Sequence, residues 1–237
     1  AGVLSMADCA TLIETFAQYQ AGNIIGGQIV YPMVNEAWQL APSVVAAVES
    51  AIDEIDDLYW SIRLGGQAVL GGTEAALSAA SNRLPELKVG AHTFPLRLPL
   101  HSAFHTPLMV DASQRAVEDL ADLQWYAPSV TMIDGQGNVW RPIHSDPAKL
   151  RAYTLGHQVT EVFNLKACIR TALRTVAPDV VILPGPGSNL GSAVAQSMIA
   201  EGWNGIRTRD DFIQRQNKDP ILLSMRWPDQ RNRLVAQ

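Results

Sequence analysis

Residues 58–70 carry the pattern that most restricts the fold of this chain: a strand, a tight turn and a returning strand. Apolar side chains occupy alternate positions over 58–64, as in a strand with one buried face. Gly65 and Gly66 follow, and a glycine pair supplies the positive φ angles of a two-residue hairpin turn. Residues 67–70 are predicted to return as the partner strand. A lone hairpin is marginally stable, so the flanking segments must complete the sheet.

The flanking segments supply one helix on each side of the hairpin and one strand beyond each helix. A β-rich run covers residues 24–34, Pro42 opens a helix with an apolar face, and Thr73 caps an alanine-rich helix. Residues 94–100 alternate again, with two prolines on the other face. Because proline donates no backbone hydrogen bond, this strand belongs at a sheet edge. The order β-α-β-β-α-β over residues 24–100 is that of a ferredoxin-like unit, whose last strand lies at an edge.

After residue 100 the pattern changes to alternating helices and short apolar strands, which is typical of a parallel sheet. The predicted elements are a helix after Pro107, a strand at 130–133, helices from Pro147 and over 165–176, a strand at 180–183, and a helix that ends at Gly202. The predicted divisions are a first core segment at 1–23, a ferredoxin-like α+β subdomain at 24–100, an α/β core at 101–203, and a C-terminal extension at 204–237. Apart from residues 221–225 the extension is polar, and its arginine-rich end is predicted to be a solvated surface.

The composition argues against several classes of protein. With 18 basic and 23 acidic residues the formal charge is −5, which argues against a general nucleic-acid binder. No apolar run is long enough to cross a bilayer, so a membrane protein is not expected. Cys9 and Cys168 lie far apart and are not expected to form a disulfide framework or a cysteine-rich metal site. Since no secretion signal is recognised either, we expect a cytoplasmic protein.

His105 stands in the context best suited to catalysis. It occupies the predicted turn between the 94–100 strand and the helix after Pro107, and such turns gather the active sites of α/β folds. A histidine near neutral pH can act as a general base there, although packing or capping at the turn is the simpler interpretation. His101 lies four residues earlier, but Pro99 and Pro107 disfavour a shared helical face, so a metal pair is not expected.

Two further signals carry less weight. Residues 185–191, Gly-Pro-Gly-Ser-Asn-Leu-Gly, lie between a strand and a helix and could present backbone N–H groups to an anion. They lack the lysine and the spacing of a phosphate-binding loop, so close packing of strand against helix is favoured. Residues 144–146, His-Ser-Asp, contain the residue types of a hydrolase triad, but sequence neighbours rarely converge in that way, and an ordinary helix start is favoured.

Four short blocks occur in an order and at a spacing that one enzyme family shares. They are Ala-Gly-Val-Leu-Ser at 1–5, Ala-Phe-His-Thr-Pro-Leu-Met at 103–109, Gly-His-Gln-Val-Thr at 156–160 and Gly-Pro-Gly at 185–187. Together they resemble the malonyl-CoA:acyl carrier protein transacylase family, which includes the acyltransferase domains of polyketide synthases. The resemblance implies an α/β fold with an α/β-hydrolase-like parallel-sheet core, partial in this chain, and a ferredoxin-like subdomain inserted before the catalytic histidine.

The resemblance also implies ping-pong acyl transfer without a bound cofactor or metal. A serine in a Gly-His-Ser-x-Gly elbow attacks an acyl-CoA, histidine acts as base and then acid, and the phosphopantetheine thiol of an acyl carrier protein takes the acyl group. His105 matches the catalytic histidine, and Gln158 matches the residue whose main-chain carbonyl orients that imidazole. The elbow does not occur in the sequence, so the nucleophile serine is expected upstream, and Ser102 and Ser188 both lack its context.

Besides the missing elbow, two positions depart from the family pattern. Phe16 falls where the family places an arginine that pairs with the malonyl carboxylate. A carboxylate buried without a cation would cost on the order of several kcal/mol, which predicts an uncharged acyl group, unless Arg63 substitutes for the missing arginine. Glu161 replaces a common proline before a Val-aromatic pair and leaves the shape of that loop open.

Two other functions remain open at this point. Water can replace the acceptor thiol at a serine acyl-enzyme, which would make the protein a thioesterase, and the loss of the carboxylate-binding arginine is compatible with that activity. The absence of the elbow is compatible instead with a noncatalytic acyltransferase-like subunit that docks a carrier protein.

Overall fold

A computed structural model describes residues 1–185, 187 and 190–235 of the chain. Its strands are β1 (Gly27–Pro32), β2 (Leu58–Leu64), β3 (Gln67–Gly72), β4 (Leu87–Val89), β5 (His92–Phe94), β6 (Leu96–Leu98), β7 (Met132–Ile133), β8 (Val139–Trp140), β9 (Phe163–Asn164), β10 (Val181–Leu183) and β11 (Leu222–Ser224). Its α-helices are α1 (Met6–Gly22), α2 (Pro42–Glu54), α3 (Glu74–Arg83), α4 (Val110–Asp119), α5 (Pro147–Ala152), α6 (Gln158–Thr160), α7 (Leu165–Val176), α8 (Leu190–Glu201), α9 (Arg209–Lys218) and α10 (Pro228–Leu234). Tight 3₁₀ turns are found at Pro107–Met109 and Trp203–Gly205, and a wider π-helical turn is found at Tyr153–His157.

The largest sheet has the strand order β6-β1-β3-β2-β9, and its first four strands pair antiparallel. With α2 and α3 packed on it, this is the predicted ferredoxin-like unit, and β6, which has a proline on either side, lies at the sheet edge. The hairpin turn falls at Gly65 and Gly66, and the Thr73 hydroxyl caps α3 by accepting from the Ala76 N–H at 3.2 Å. The core beneath the sheet includes Ile29, Tyr31, Val48, Ala51, Val69, Leu70, Leu77 and Ala80.

β9 ties this subdomain to the rest of the chain. It pairs parallel to β2, with Phe163 opposite Ile62. The register of β2 against β3 shifts between Trp60 and Ile62, which leaves Ser61 as an extra, bulged residue. The strand was not predicted, because two residues carry no measurable alternation.

The C-terminal extension, which is polar apart from residues 221–225, contributes a strand and a helix to the fold. β11 pairs parallel to β10, with Leu223 opposite Ile182, and α9 packs against α8. The extension also contributes buried side chains to a second core with α7 and α8, whose members include Leu173, Val194, Met198, Ile206, Phe212, Ile221 and Leu222. The extension supplies only a few of these buried residues, and its overall polarity does not reveal that they join this core.

The strand predicted at 130–133 requires a correction. The strand that forms, β7, is two residues long and pairs antiparallel with β8 as a hairpin, so it does not extend a parallel sheet. Within the described residues the parallel core outside the main sheet is the pair β10 and β11.

A third apolar region holds the candidate site. α1 and α4 pack against the helical segment that runs from α5 to α6, around Met109, Ala112, Ala116, Leu120, Leu155 and Val159. In the part of the chain that the structure describes, no helix has the length and apolar character needed to span a bilayer.

Candidate active site

His105 lies between β6 and the 3₁₀ turn at Pro107–Met109, and both its backbone and its ring form hydrogen bonds. Its φ is +62°, a left-handed conformation that non-glycine residues rarely adopt. The His105 N–H donates to the Val159 carbonyl at 2.8 Å, and Nδ1 lies 2.5 Å from the Gln158 carbonyl oxygen. The structure therefore brings His105 and Gln158 together although 53 residues separate them.

Those two carbonyls are free to accept from His105 because α6 ends immediately after them. Helical geometry stops at Thr160, and Glu161 is extended, with φ −123° and ψ 156°. The last carbonyls of a helix have no donor four residues ahead, so Gln158 and Val159 present theirs to the side. Only the backbone of Gln158 takes part in this contact.

The hydrogen bond at Nδ1 fixes the tautomer of the ring. A carbonyl oxygen only accepts, so Nδ1 carries the proton and Nε2 carries the free lone pair. Nε2 makes no hydrogen bond with the described residues, and it is not among their fully buried unpaired atoms. Burial lowers the pKa of His105, while the Gln158 carbonyl opposes that shift. A neutral imidazole whose Nε2 lone pair is free is suited to accept a proton.

A buried polar pair supports the residue before His105. The Ser61 hydroxyl donates to the Phe104 carbonyl at 2.8 Å, and the Gln28 side-chain amide donates to the Ser61 hydroxyl at 2.9 Å. Both side chains are buried. Sequence reasoning missed this support, and the available signal was a glutamine inside an otherwise apolar strand.

Phe16 lies close to the site, but inside an apolar cluster. It is partly buried against α4 and α6, and its ring centroid is 6.1 Å from that of Phe104. Arg63 lies on β2 opposite Asn164 of β9, and its guanidinium carbon is 4.2 Å from the centroid of the Trp60 ring. It makes no ion pair with any residue that the structure describes.

Of the two serines singled out from the sequence, the structure describes Ser102, which makes no hydrogen bond to His105. Ser102 is buried, and its hydroxyl accepts from the Ile25 N–H at 3.2 Å. Ser188 lies outside the described residues, as does part of the 185–191 segment.

An apolar pocket of about 680 Å³ opens beside Gln158 and Phe163, whose ring centroid is 5.6 Å from that of His105. Among the described residues no lysine or arginine lines it. The carboxylate of Asp134 does line it, but both of its oxygens accept hydrogen bonds from the β7–β8 hairpin, including the Trp140 indole at 2.9 Å. Its apolar wall includes Val3, Leu4, Leu12, Met132, Ile133 and Leu150.

Comparison with known proteins places this geometry in a known fold. No protein-family model matches the sequence. The chain is 25% identical over 203 residues to the phenolphthiocerol synthesis polyketide synthase type I Pks15/1 of Mycobacterium marinum, a match that covers 84% of this chain and 9% of that protein.

Solved structures agree with the chain over nearly its whole length. They include the malonyl-CoA:acyl carrier protein transacylase FabD of Xanthomonas oryzae (21% identity, TM-score 0.69, 99% of this chain and 66% of that one). The acyl-carrier-protein S-malonyltransferase of Burkholderia pseudomallei has 19% identity and a TM-score of 0.73, covering 100% and 68% of the two chains. The malonyl-CoA:ACP transacylase of Synechocystis sp. PCC 6803 has 15% identity and a TM-score of 0.72, covering 98% and 67%. The chain thus has the fold that its sequence blocks predicted, and it spans about two thirds of these structures.

Proposed function

We propose that the protein transfers an acyl group from an acyl-CoA to the phosphopantetheine thiol of an acyl carrier protein, with His105 as general base and then general acid. The observation that carries the proposal is the His105 ring: its Nδ1 bonds to the Gln158 carbonyl, and it lies against Phe163, which together with Gln158 lines the apolar pocket. The similar solved structures are named for transfer of this kind, and their fold is the fold of this chain.

The proposed reaction requires a serine hydroxyl from outside these 237 residues. Nε2 of His105 removes the proton from that hydroxyl as its oxygen attacks the thioester carbonyl. The tetrahedral intermediate collapses, Nε2–H returns the proton to the departing CoA sulfur, and a serine ester remains. In the second half, Nε2 takes the proton of the carrier thiol, the thiolate attacks the ester, and the proton passes back to the serine oxygen. The Gln158 carbonyl stabilises the imidazolium that forms in each half.

The acyl group proposed is uncharged. Phe16, in place of the family's arginine, packs among apolar side chains, and no described lysine or arginine lines the apolar pocket. Arg63 stacks on Trp60 and would have to leave that ring to meet a carboxylate. Since a tenfold preference corresponds to about 1.4 kcal/mol, an unpaired carboxylate costing a few kcal/mol would be disfavoured by roughly a hundredfold.

The proposed partners are therefore an acyl-CoA and an acyl carrier protein, with no resident cofactor or metal. The proposed location is the cytoplasm. Both cysteines are free thiols, as that compartment would keep them.

The test offers radiolabelled acetyl-, propionyl-, malonyl- and longer acyl-CoA to the complete protein with a carrier protein. We expect labelled carrier from the uncharged substrates, and a loss of about a thousandfold in His105→Ala, since general acid–base catalysis contributes on that scale. His101→Ala is the matched control, because His101 also places Nδ1 on a backbone carbonyl, that of Pro99 at 2.7 Å, but lies on the exposed surface.

Three other outcomes would contradict the proposal, and each would indicate a different conclusion. Labelling by His105→Ala at the wild-type rate would overturn the role of His105. Release of free acid in excess of carrier labelling would indicate a thioesterase, and carrier binding without any acyl-enzyme would indicate a noncatalytic subunit.

A further inference from the structure

A π-helical turn immediately precedes the two carbonyls that hold His105. Over Tyr153–His157 the helix is wider than an α-helix, and the Gln158 N–H bonds to the carbonyl of Tyr153, five residues back. Such a turn is rare and is frequently found at functional sites. It inserts one residue into the helix, and a backbone carbonyl thereby loses its usual donor four residues ahead. The turn thus needs support from outside the helix.

Ser113 supplies that support. Its hydroxyl donates to the carbonyl of Leu155 at 2.6 Å, from the neighbouring helix α4. Both residues are buried, so water does not satisfy the carbonyl in its place. A buried carbonyl without a donor would favour the return of the segment to a regular α-helical register.

The register of this segment decides which carbonyl reaches His105. Each residue of an α-helix is rotated by about 100° and translated by 1.5 Å relative to the one before it. If the segment returned to a regular α-helical register, the carbonyls of Gln158 and Val159 would rotate by that amount relative to α5. They would then point away from Nδ1 and the backbone N–H of His105. The 2.5 Å and 2.8 Å contacts of His105 would not survive such a rotation.

We infer that Ser113 is a positioning residue for His105: its bond to the Leu155 carbonyl maintains the π turn, and the π turn directs the Gln158 carbonyl at Nδ1. The inference rests on the proposed function, in which His105 is the base. The contacts also connect back along the chain, since α4, which carries Ser113, follows directly on the turn that contains His105.

Other contacts of the π turn involve Tyr153 and His157, and they leave one buried nitrogen atom unpaired. The rings of Tyr153 and His157 stack at 5.6 Å and 25°, and the Tyr153 hydroxyl accepts from the Gly135 N–H at 2.7 Å. Nε2 of His157 is buried without a hydrogen-bond partner among the described residues. Most buried polar atoms in native proteins have a partner, so this atom marks the π turn as an unusual local conformation.

The experiment follows the His105 ring directly, by ¹⁵N NMR of histidine-labelled complete protein, alongside acyl-transfer kinetics. In Ser113→Ala we expect the Nδ1–H tautomer of His105 to lose its dominance, and kcat to fall about tenfold with KM unchanged, the scale of one or two hydrogen bonds. Ser113→Thr keeps the hydroxyl and should restore both readouts. Ser113→Cys, a close isostere with a weaker donor, should shift them in the same direction by less.

Ser197→Ala is the matched control. Ser197 is buried and its hydroxyl donates to a helix carbonyl, that of Ala193 at 2.8 Å, but it lies on α8. We expect it to change stability without changing the ¹⁵N shifts of His105. If the Ser113 variants that fold leave those shifts as Ser197→Ala does, the inference is wrong. If no variant and no wild-type protein transfers acyl groups, the proposed function fails, while the ¹⁵N comparison still decides the role of Ser113.

Discussion

The Ser61→Ala substitution tests the polar support beneath the candidate site. Ser61 is fully buried, donates to the Phe104 carbonyl at 2.8 Å and accepts from the Gln28 amide at 2.9 Å. Removing the hydroxyl deletes two neutral hydrogen bonds, each with a net value of about 1 kcal/mol, and weakens the pairing of a buried amide hydrogen. The remaining contact, from Gln28 to Phe104 at 3.3 Å, offsets part of that loss. We expect the free energy of unfolding to fall by about 2 to 3 kcal/mol.

Urea unfolding, with a common slope for wild type and variant, measures this change. Ser197→Ala serves as the reference, because it removes one buried hydroxyl bond and should cost about 1 kcal/mol. Gln28→Leu alone and combined with Ser61→Ala completes a double-mutant cycle. The two single losses should exceed the double loss by about 1 kcal/mol, since they count the shared bond twice. A Ser61→Ala loss no larger than that of Ser197→Ala would refute the reasoning.

Four further predictions concern titration and packing. Because burial lowers the pKa of His105, protonation of the ring should require a pH below 6.5. The acidic limb of the kcat/KM profile should therefore lie below that pH, and a limb above it would contradict the assignment. The same shift means that the unfolded chain binds this proton more readily, so the contribution of His105 to stability should fall as pH drops from 6.5 toward its folded pKa, as acid-dependent unfolding would measure. Burial raises the pKa of Cys168 to about 11, so iodoacetamide at pH 8 should leave Cys168 unmodified in the folded protein, and rapid labelling on peptide mass spectrometry would show that its packing is wrong. Phe16→Ala should lower the free energy of unfolding by about 3 kcal/mol, and a change under 1 kcal/mol would place Phe16 outside the apolar cluster.

The parts of the fold that the sequence predicted are those whose cause is local. Alternation on β2, the glycine pair at its turn and the Thr73 cap each act within a few residues. Of the described strand pairs in the largest sheet, only the hairpin β2–β3 joins consecutive strands, and the placement of β1 between β3 and β6 follows from the ferredoxin-like order of strands and helices along the chain. These features were predictable because backbone geometry and side-chain period specify them.

The parts that were missed depend on distant partners. β9 and β11 are two and three residues long, and they become strands because β2 and β10 offer them backbone partners. The π turn has no residue pattern of its own, and Ser113, which donates to its Leu155 carbonyl, lies 42 residues away in the sequence. The pairing of His105 with Gln158 was expected from a resemblance to known enzymes, and no periodicity of the sequence indicates it.

The distance from Nε2 of His105 to the nearest serine hydroxyl, in a crystal structure of the complete protein, tests the central claim most directly. If His105 is the base for acyl transfer, a serine that the 237 residues do not contain should place its Oγ within about 3 Å of Nε2, with the apolar pocket open to both. A complete structure in which another residue seals Nε2, or in which no hydroxyl can reach it, would contradict the account.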